Sequence, residues 1–296
     1  MEAVVYNFPR GPVPPQLNEA GMVYSGESER GGHQLEAAMA CPRMWALKYP
    51  LKTPRVRVVD PNAKVPAWGL GNLVHQWNAQ HWARQHHPDG VISPERAVRL
   101  RAKEEQTEAA IDQALDISEK YHAFILDKHP SWVPLAEECE VAVDYGEGVG
   151  RITLGVDQFF WCRETEQPII MDWKTAGRIA NVQKYPYSTQ YLRYRIMLRT
   201  FARFLGKPDS WGEVYVGVIP TGKTNFHRRD THRCPYFVQA TDGLEMQTKR
   251  HLAFLWTLER QDPYDVVHTG AIYGPTCLGE YRPCPFRASH CFLGGV

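Results

Sequence analysis

The sequence predicts an α/β (α+β) fold, a small mixed β-sheet flanked by helices, with a helical portion before the sheet and a cysteine-rich tail after it. Three observations carry this expectation. Strand-favouring segments follow one another from Ala136 to Thr175 with no helical stripe between them. Apolar residues at helical spacing precede that block at 33–128 and follow it at 187–206 and 242–261. A further strand-like run, WGEVYVGVIP at 211–220, separates the two later helices, so sheet and helix alternate in the second half.

The chain of 296 residues is long enough for one large domain or two small ones. Its 43% hydrophobic and 23% charged residues are ordinary for a soluble globular protein. A net charge of +1 exerts no overall pull toward nucleic acid or membrane, so any nucleic-acid contact has to come from local patches. No apolar run reaches the ~18 residues of a membrane span. The start, MEAVVYNFPRGPVPPQ, lacks the pattern of a signal peptide, and the expectation is an intracellular, cytoplasmic protein. In that reducing compartment the seven cysteines are not expected to form disulfides.

Residues 1–32 are rich in Pro, Gly, Ser and Glu and read as a flexible arm. A single domain is expected over 33–296, with a helical portion at 33–130, the core at 131–262 and the tail at 263–296. In the helical portion, His33–Tyr49 is a helix bent or interrupted at Pro42, just after Cys41. A basic, proline-bounded loop leads to GLGNLVHQWNAQHWARQHH at 69–87, where Leu73, Val74, Trp77 and Trp82 form a stripe and His75 lies near the start. Residues 94–128 form a charged amphipathic helix pair, with Lys103, Glu104, Glu105 and Glu108 on a solvated face. The core opens with AEECEVAVDYG around Glu140, then ITLGVDQFFW, a RETEQP turn and PIIMDWKT. Next comes a helix at 187–206, with Tyr191, Tyr194, Ile196, Met197, Leu198, Phe201 and Leu205 on its stripe and Gly206 closing it. After the strand at 211–220, TGKTNFHRRDTHRC reads as a basic loop, PYFVQA as a short strand and 242–261 as a helix.

The chemistry concentrates between Gly155 and Thr175. Asp157 lies on the first strand of that hairpin, Asp172 and Lys174 on the second. Being two apart, Asp172 and Lys174 point to one face. Two carboxylates suit a hard divalent cation, and a lysine beside them orients or deprotonates a water or steadies developing negative charge. A DxK triplet by itself also fits a plain ion pair at a hairpin end. His75 alone reads as a structural histidine. Gln190 and Tyr194, four apart on one helix face, fit a buried amide and a core tyrosine as well as they fit a cleft.

Taken together, these elements resemble the PD-(D/E)xK nuclease superfamily, specifically its RecB-like exonuclease branch of AddB-type, CRISPR-associated and phage enzymes. Five matches occur in the family's order: GNLVH as Gly-x-x-x-His; Glu140 as the acid of the first core strand; Gly155-Val-Asp157 as Gly-x-Asp; Asp172-Trp-Lys174-Thr175 as Asp-x-Lys-Thr; Gln190 to Tyr194 as Gln-x-x-x-Tyr. They lie within about residues 41–291. The resemblance implies a restriction-endonuclease-like core and phosphodiester hydrolysis. It implies one Mg²⁺ or Mn²⁺ held by Asp157, Asp172, His75 and the carbonyl of Trp173. Lys174 would hold the attacking water, Gln190 and Tyr194 would position Lys174 or a phosphate, and Glu140 would partly hold any second cation.

The tail supplies a second signal. Cys277, Cys284 and Cys291 stand seven apart in a Pro- and Gly-rich segment, and with one distant cysteine they make four thiolates for a metal or cluster. The iron–sulfur members of the RecB-like branch place one cysteine before the core and three after it. By that resemblance Cys41, Cys277, Cys284 and Cys291 hold a [4Fe–4S] cluster that clasps the two chain ends. The family spaces its second and third cysteines more closely, and a structural Zn²⁺ on these cysteines or His290 is the alternative. Cys139, Cys162 and Cys234 read as packing residues.

For DNA, the loop at 221–233 offers Lys223, Arg228, Arg229 and Arg233 around Phe226, a composition suited to phosphates and stacked bases. Arg193, Arg195, Arg199 and Arg203 either edge the cleft or form a solvated helix face. The expected activity is a metal-dependent deoxyribonuclease, an exonuclease acting on single strands or duplex ends in recombination, repair or phage DNA processing. Unwinding is expected to fall to a helicase or recombination partner. The alternatives are an endonuclease on the same centre, a DNA-binding scaffold without turnover, and a non-nuclease protein organised by its metal-binding tail.

Overall fold

The computed structural model describes residues 32–53, 67–86, 93–102, 108–146, 148–176, 188–220 and 230–269. Two units emerge from the chain's contacts. The first falls within Lys64–Val143 and Leu154–Leu244, the second within Ser28–Ala63, Asp144–Thr153 and Glu245–Val296.

In the second unit, the helical segment expected at 33–49 is interrupted before Pro42 and forms α1 (Gly32–Ala40) and α2 (Pro42–Lys48). Cys41 between them is extended, and its Sγ accepts from Met44 N at 3.4 Å, capping α2. Pro42 sits in the first turn, where a missing N–H costs nothing.

The first unit starts with α3 (Ala67–His86), α4 (Pro94–Arg101) and α5 (Glu108–Lys128), packed on one another. The expected stripe is the buried one: Leu73, Val74 and Trp77 of α3 meet Ile111, Ile117, Tyr121 and Ile125 of α5. The side chain of Trp82 lies outside the described residues. On the outer face Glu108 is exposed and pairs with Arg99, whereas Lys103, Glu104 and Glu105 lie outside the described residues.

Five strands follow in spatial order: β1 (Trp132–Asp144), β2 (Arg151–Cys162), β3 (Gln167–Ala176), β4 (Glu213–Pro220) and β5 (Asp230–Arg233). The β2–β3 pair is antiparallel across the turn at 163–166, the β3–β4 pair is parallel, and the β4–β5 pair is antiparallel, so the sheet is mixed as expected. The parallel pair requires a crossover, supplied by α6 (Thr189–Phe204). Ile169, Met171 and Trp173 of β3 enter the core with α3–α5, while Asp172 turns to the other face and meets α6. Cover on both faces explains the uninterrupted Ile169–Ile170–Met171 run.

Trp173 is wedged by an unusual close approach. A methyl group at Gly217, its partner on β4, would stand 2.0 Å from the indole and 2.6 Å from the Tyr121 hydroxyl. Only glycine leaves room for that ring to lie across β4 and fix the backbone between Asp172 and Lys174.

Two expectations change at the C-terminal side. PYFVQA is not a strand. The last strand is DTHR, inside the expected basic loop, with Thr231 opposite Gly217 and Arg233 opposite Tyr215. Pro235 lacks a ladder donor, and the Phe237 carbonyl already accepts from Thr241 N at 2.9 Å, so the chain turns into α7 (Val238–Glu259) earlier than expected. The stretch expected as tail begins with another helix, α8 (Pro263–Thr269), which packs on α2.

Burial holds His122 and His129 neutral, with pKa values lowered to about 4; the nearby His81 and Lys128, respectively, add to the effect. As pH falls from about 6.5 to about 4, the unfolded chain takes up these protons and the folded one does not, so stability is lost across that window. Urea-unfolding midpoints across that range should therefore fall less steeply for His122→Gln and His129→Gln than for wild type, and equal slopes would contradict the neutral assignment.

Candidate active site

The β2–β3 ladder runs from Cys162–Gln167 to Gln158–Met171. One step further stand Asp157 and Asp172, on the same face of the sheet. The Trp173 N–H lies beyond the ladder and donates to Asp157 Oδ2 at 2.7 Å. In a strand, the carbonyl of a residue faces the same neighbour as its N–H, so the Trp173 carbonyl is directed to the Asp157 side. The other oxygen, Oδ1, is 3.6 Å from His75 Nδ1. Lys174 Nζ lies 2.5 Å from Asp172 Oδ2. The His75, Asp157 and Lys174 side chains are partly exposed, while that of Asp172 is 1% exposed.

The buried acid is enclosed by α6. Gln190 Nε2 donates to Asp172 Oδ1 at 2.8 Å, and the Tyr191 hydroxyl donates to Oδ2 at 2.9 Å. The Tyr194 hydroxyl lies 3.1 Å from Oδ1 and 2.7 Å from the Gly155 carbonyl, and it accepts from Gln190 Nε2 at 3.1 Å. Residues 190, 191 and 194 fall on one helix face, which is why a single helix can deliver all three groups. Burial, and then the Asp157 charge, push the Asp172 carboxyl up to about 6 against the pull of Lys174. Burial, and then the Asp172 charge, raise both tyrosine hydroxyls far above their ordinary range, so each stays protonated.

Gly71 explains how α3 brings His75 in. A methyl group there would stand 2.9 Å from Thr175 Oγ1, so the helix backbone rests directly on the end of β3. His75 follows one turn later on the same face and reaches across to Asp157. The Gly-x-x-x-His spacing is thus one helical turn between a contact point and the imidazole that faces Asp157.

The structure brings together seven of the residues anticipated from sequence: His75, Asp157, Asp172, Trp173, Lys174, Gln190 and Tyr194. Glu140 is buried on β1, next to β2. Arg193 is partly buried on α6. Lys223, Arg228 and Arg229 lie outside the described residues, as do Cys277, Cys284 and Cys291. Cys162 and Cys234 are buried, as packing residues should be, whereas the side chain of Cys139 lies outside the described residues. Arg195 and Arg199 form neither a solvated face nor a cleft edge. Arg195 donates to the Gly212 and Cys234 carbonyls at 2.7 and 3.1 Å, and Arg199 pairs with Asp209 and Asp242.

Tyr191 escaped the sequence reading because its place on the apolar stripe made it look like core. The signal was present: it adjoins Gln190 and is three residues from Tyr194. Far along the sheet, a cavity of about 250 Å³ is lined by Trp132, Cys162, Glu213 and Tyr215. Its Glu213 is already engaged by Arg233 and by the Tyr215 hydroxyl, so the paired acids define the better candidate.

Asp157, Asp172 and His75 are donors of the chemistry a hard divalent cation takes, although among the described residues no three His, Cys, Asp or Glu side chains converge tightly enough to hold one in this geometry. Burial, and then the like charge of Asp157 on the same face, raise the Asp172 pKa; a cation relieves the repulsion, and an imidazole nitrogen stands on the open side. As a ligand, that nitrogen would tilt the preference toward Mn²⁺ over Mg²⁺.

Gly71→Ala should lift α3 from β3 and draw His75 away, weakening Mn²⁺ binding by roughly tenfold or more, as for a lost orienting contact. Thr175→Ala in the same chain removes the opposing oxygen and should restore much of the affinity. Titration calorimetry on the two variants checks this, and wild-type affinity in Gly71→Ala would refute it.

A family profile for the PD-(D/E)XK nuclease superfamily matches residues 33–289. A search of curated proteins finds no match. Among solved structures, one described as "Putative exonuclease" from Eubacterium rectale superposes with a TM-score of 0.46 at 12% identity, covering 79% of this chain and 83% of that one. Another, of SSO0001, has a TM-score of 0.25 at 12% identity and covers 70% of this chain and 83% of that one. With a profile that spans most of the sequence, and an opposed acid pair with a lysine at its strand end, the chain belongs to the PD-(D/E)XK nuclease superfamily.

Proposed function

We propose that this protein is a divalent-metal-dependent deoxyribonuclease that hydrolyses phosphodiester bonds from DNA ends. The observation that carries the reading is Asp157 and Asp172 on one face of the sheet, with Lys174 beside them. Asp157, Asp172, His75 and the Trp173 carbonyl would hold one Mg²⁺ or Mn²⁺. When bound, such a cation polarises the scissile phosphate and makes hydroxide accessible near neutral pH. Lys174 holds the attacking water in line and steadies the charge that develops on the phosphate. Gln190 keeps Asp172 and Lys174 in register, Tyr194 holds the helix that carries Gln190 against β2, and Glu140 is the candidate to support a second cation. The exonucleolytic mode and a helicase or recombination partner rest on the resemblance to the RecB-like branch. Arg193 and the basic residues Lys223, Arg228 and Arg229 supply phosphate contacts without reading bases.

The [4Fe–4S] reading is proposed on the layout of one cysteine, Cys41, before the core and three, Cys277, Cys284 and Cys291, after it, and the wider spacing of the three is where it departs from the family. It gains support from α2, which begins directly after Cys41 and packs on α8, the helix that leads into the tail. Structural Zn²⁺ is the alternative.

The decisive assay uses end-labelled linear and circular DNA, single- and double-stranded, with Mn²⁺, Mg²⁺ or EDTA. Metal-dependent loss of linear DNA with circles intact is expected. Cut circles would make it an endonuclease, and no cleavage with any metal would leave a DNA-binding scaffold. Asp172→Asn and Lys174→Met should each lower cleavage by about 10²–10⁴-fold, and Gln190→Ala should lower it in part, with DNA binding retained. Cleavage surviving in Asp172→Asn would refute the site. Anaerobically purified protein should contain iron and acid-labile sulfide, and Cys284→Ser should lower its Tm more than its specific activity. A zinc-containing, iron-free sample would replace the cluster with Zn²⁺.

A further inference from the structure

Counting hydroxyl protons divides the two tyrosines of α6 between different tasks. Each hydroxyl carries one proton. Tyr194 has two acceptors in reach, and the shorter bond, 2.7 Å, runs to the Gly155 carbonyl on β2 rather than to Asp172 Oδ1 at 3.1 Å. Gln190 meanwhile donates to both Tyr194 and Oδ1. The Tyr194 proton is therefore committed to tying α6 to β2. Tyr191 differs: its hydroxyl bond is to Asp172 Oδ2 at 2.9 Å, on the same oxygen that Lys174 approaches. Its ring is 1% exposed and cannot swing away without opening the core.

From this proton accounting we propose that Tyr191 is a positioning residue of the metal site. Its hydroxyl fixes the rotation of the Asp172 carboxylate, so that the plane of the two oxygens is set by α6 before any cation arrives. Tyr194, the tyrosine of the spaced motif, acts instead as a strut between α6 and β2. The inference rests on the metal-dependent reading of the site and adds a residue that motif spacing does not supply. A carboxylate left to rotate beside Lys174 can turn both oxygens to the ammonium. With Tyr191 and Lys174 sharing Oδ2, Oδ1 remains aligned toward the Gln190 side. Partners that orient a ligating group in this way are typically worth roughly 10–100-fold in metal affinity.

The test is Mn²⁺ binding by the full-length protein, read by calorimetry or electron paramagnetic resonance rather than by cleavage. Wild type, Asp172→Asn, Tyr191→Phe and Tyr194→Phe are compared, with Tm measured in EDTA. Tyr191→Phe should weaken Mn²⁺ binding by roughly 10–100-fold with little change in Tm, while Tyr194→Phe should lower Tm more than it lowers affinity. Wild-type affinity in Tyr191→Phe, alongside lost binding in Asp172→Asn, overturns the role of Tyr191 and leaves the metal site standing. Binding that Asp172→Asn does not change overturns the metal reading and this inference with it. Should Tyr191→Phe fail to fold, 3-fluorotyrosine at 191 keeps the shape and the hydroxyl. Its fluorine resonance should move on addition of Mg²⁺, and an unmoved resonance overturns the proposal.

Discussion

A carboxylate buried next to a second carboxylate is the constraint that the rest of the first unit answers. Taking an ionised acid out of water costs several kcal/mol unless hydrogen bonds and opposite charge replace the lost hydration. Asp172 is 1% exposed and faces the Asp157 charge, and that combination lifts its pKa to about 6. The compensation is local and dense: Gln190 and Tyr191 come from a single helix face and Lys174 from two residues along the strand. Asp157 is steadied separately, by the backbone N–H of Trp173. A group held this way has a fixed place but an unsettled charge, the condition in which a divalent cation gains most.

Two glycines make the arrangement sterically feasible. Gly217 lets the Trp173 ring lie across β4, so the backbone linking Asp172 to Lys174 is clamped from the core side. Gly71 lets α3 rest on Thr175 at the end of the same strand, which puts His75 within reach of Asp157. Both contacts are made by atoms that are absent. Gly217 belongs to no motif singled out in the sequence, whereas Gly71 opens GNLVH, and each sets the geometry of a charged group beyond its own contact.

The arginines of α6 show the limits of charge patterns. Arg195, Arg199 and Arg203 look alike along the helix, but Arg195 binds main-chain carbonyls in the interior, and Arg199 and Arg203 converge on Asp209. They secure the crossover between the parallel strands, and their charge is already engaged within the fold. Long aliphatic stems let arginines cross apolar surface to such partners, so position in a stripe does not tell a buried arginine from a solvated one.

Periodicity and residue order in the chain determined the fold class, the hairpin bearing Asp157, Asp172 and Lys174, the α3 stripe and the Gln190–Tyr194 face, because burial imposes periods of two and 3.6 on any sequence that folds this way. Periodicity left His75 a structural histidine, and only the resemblance carried by GNLVH set it beside the acids. Tertiary structure alone decided what depends on which neighbour arrives. PYFVQA favours a strand in isolation, but the edge of β4 is taken by DTHR and the chain turns into α7. Tyr191 looks like core until Asp172 is seen beneath its hydroxyl, since an aromatic ring obeys the same stripe whether or not its oxygen has a partner. Which acceptor receives the Tyr194 proton is likewise a matter of distance, 2.7 Å against 3.1 Å, and distances between β2 and α6 exist only once both have packed on β3.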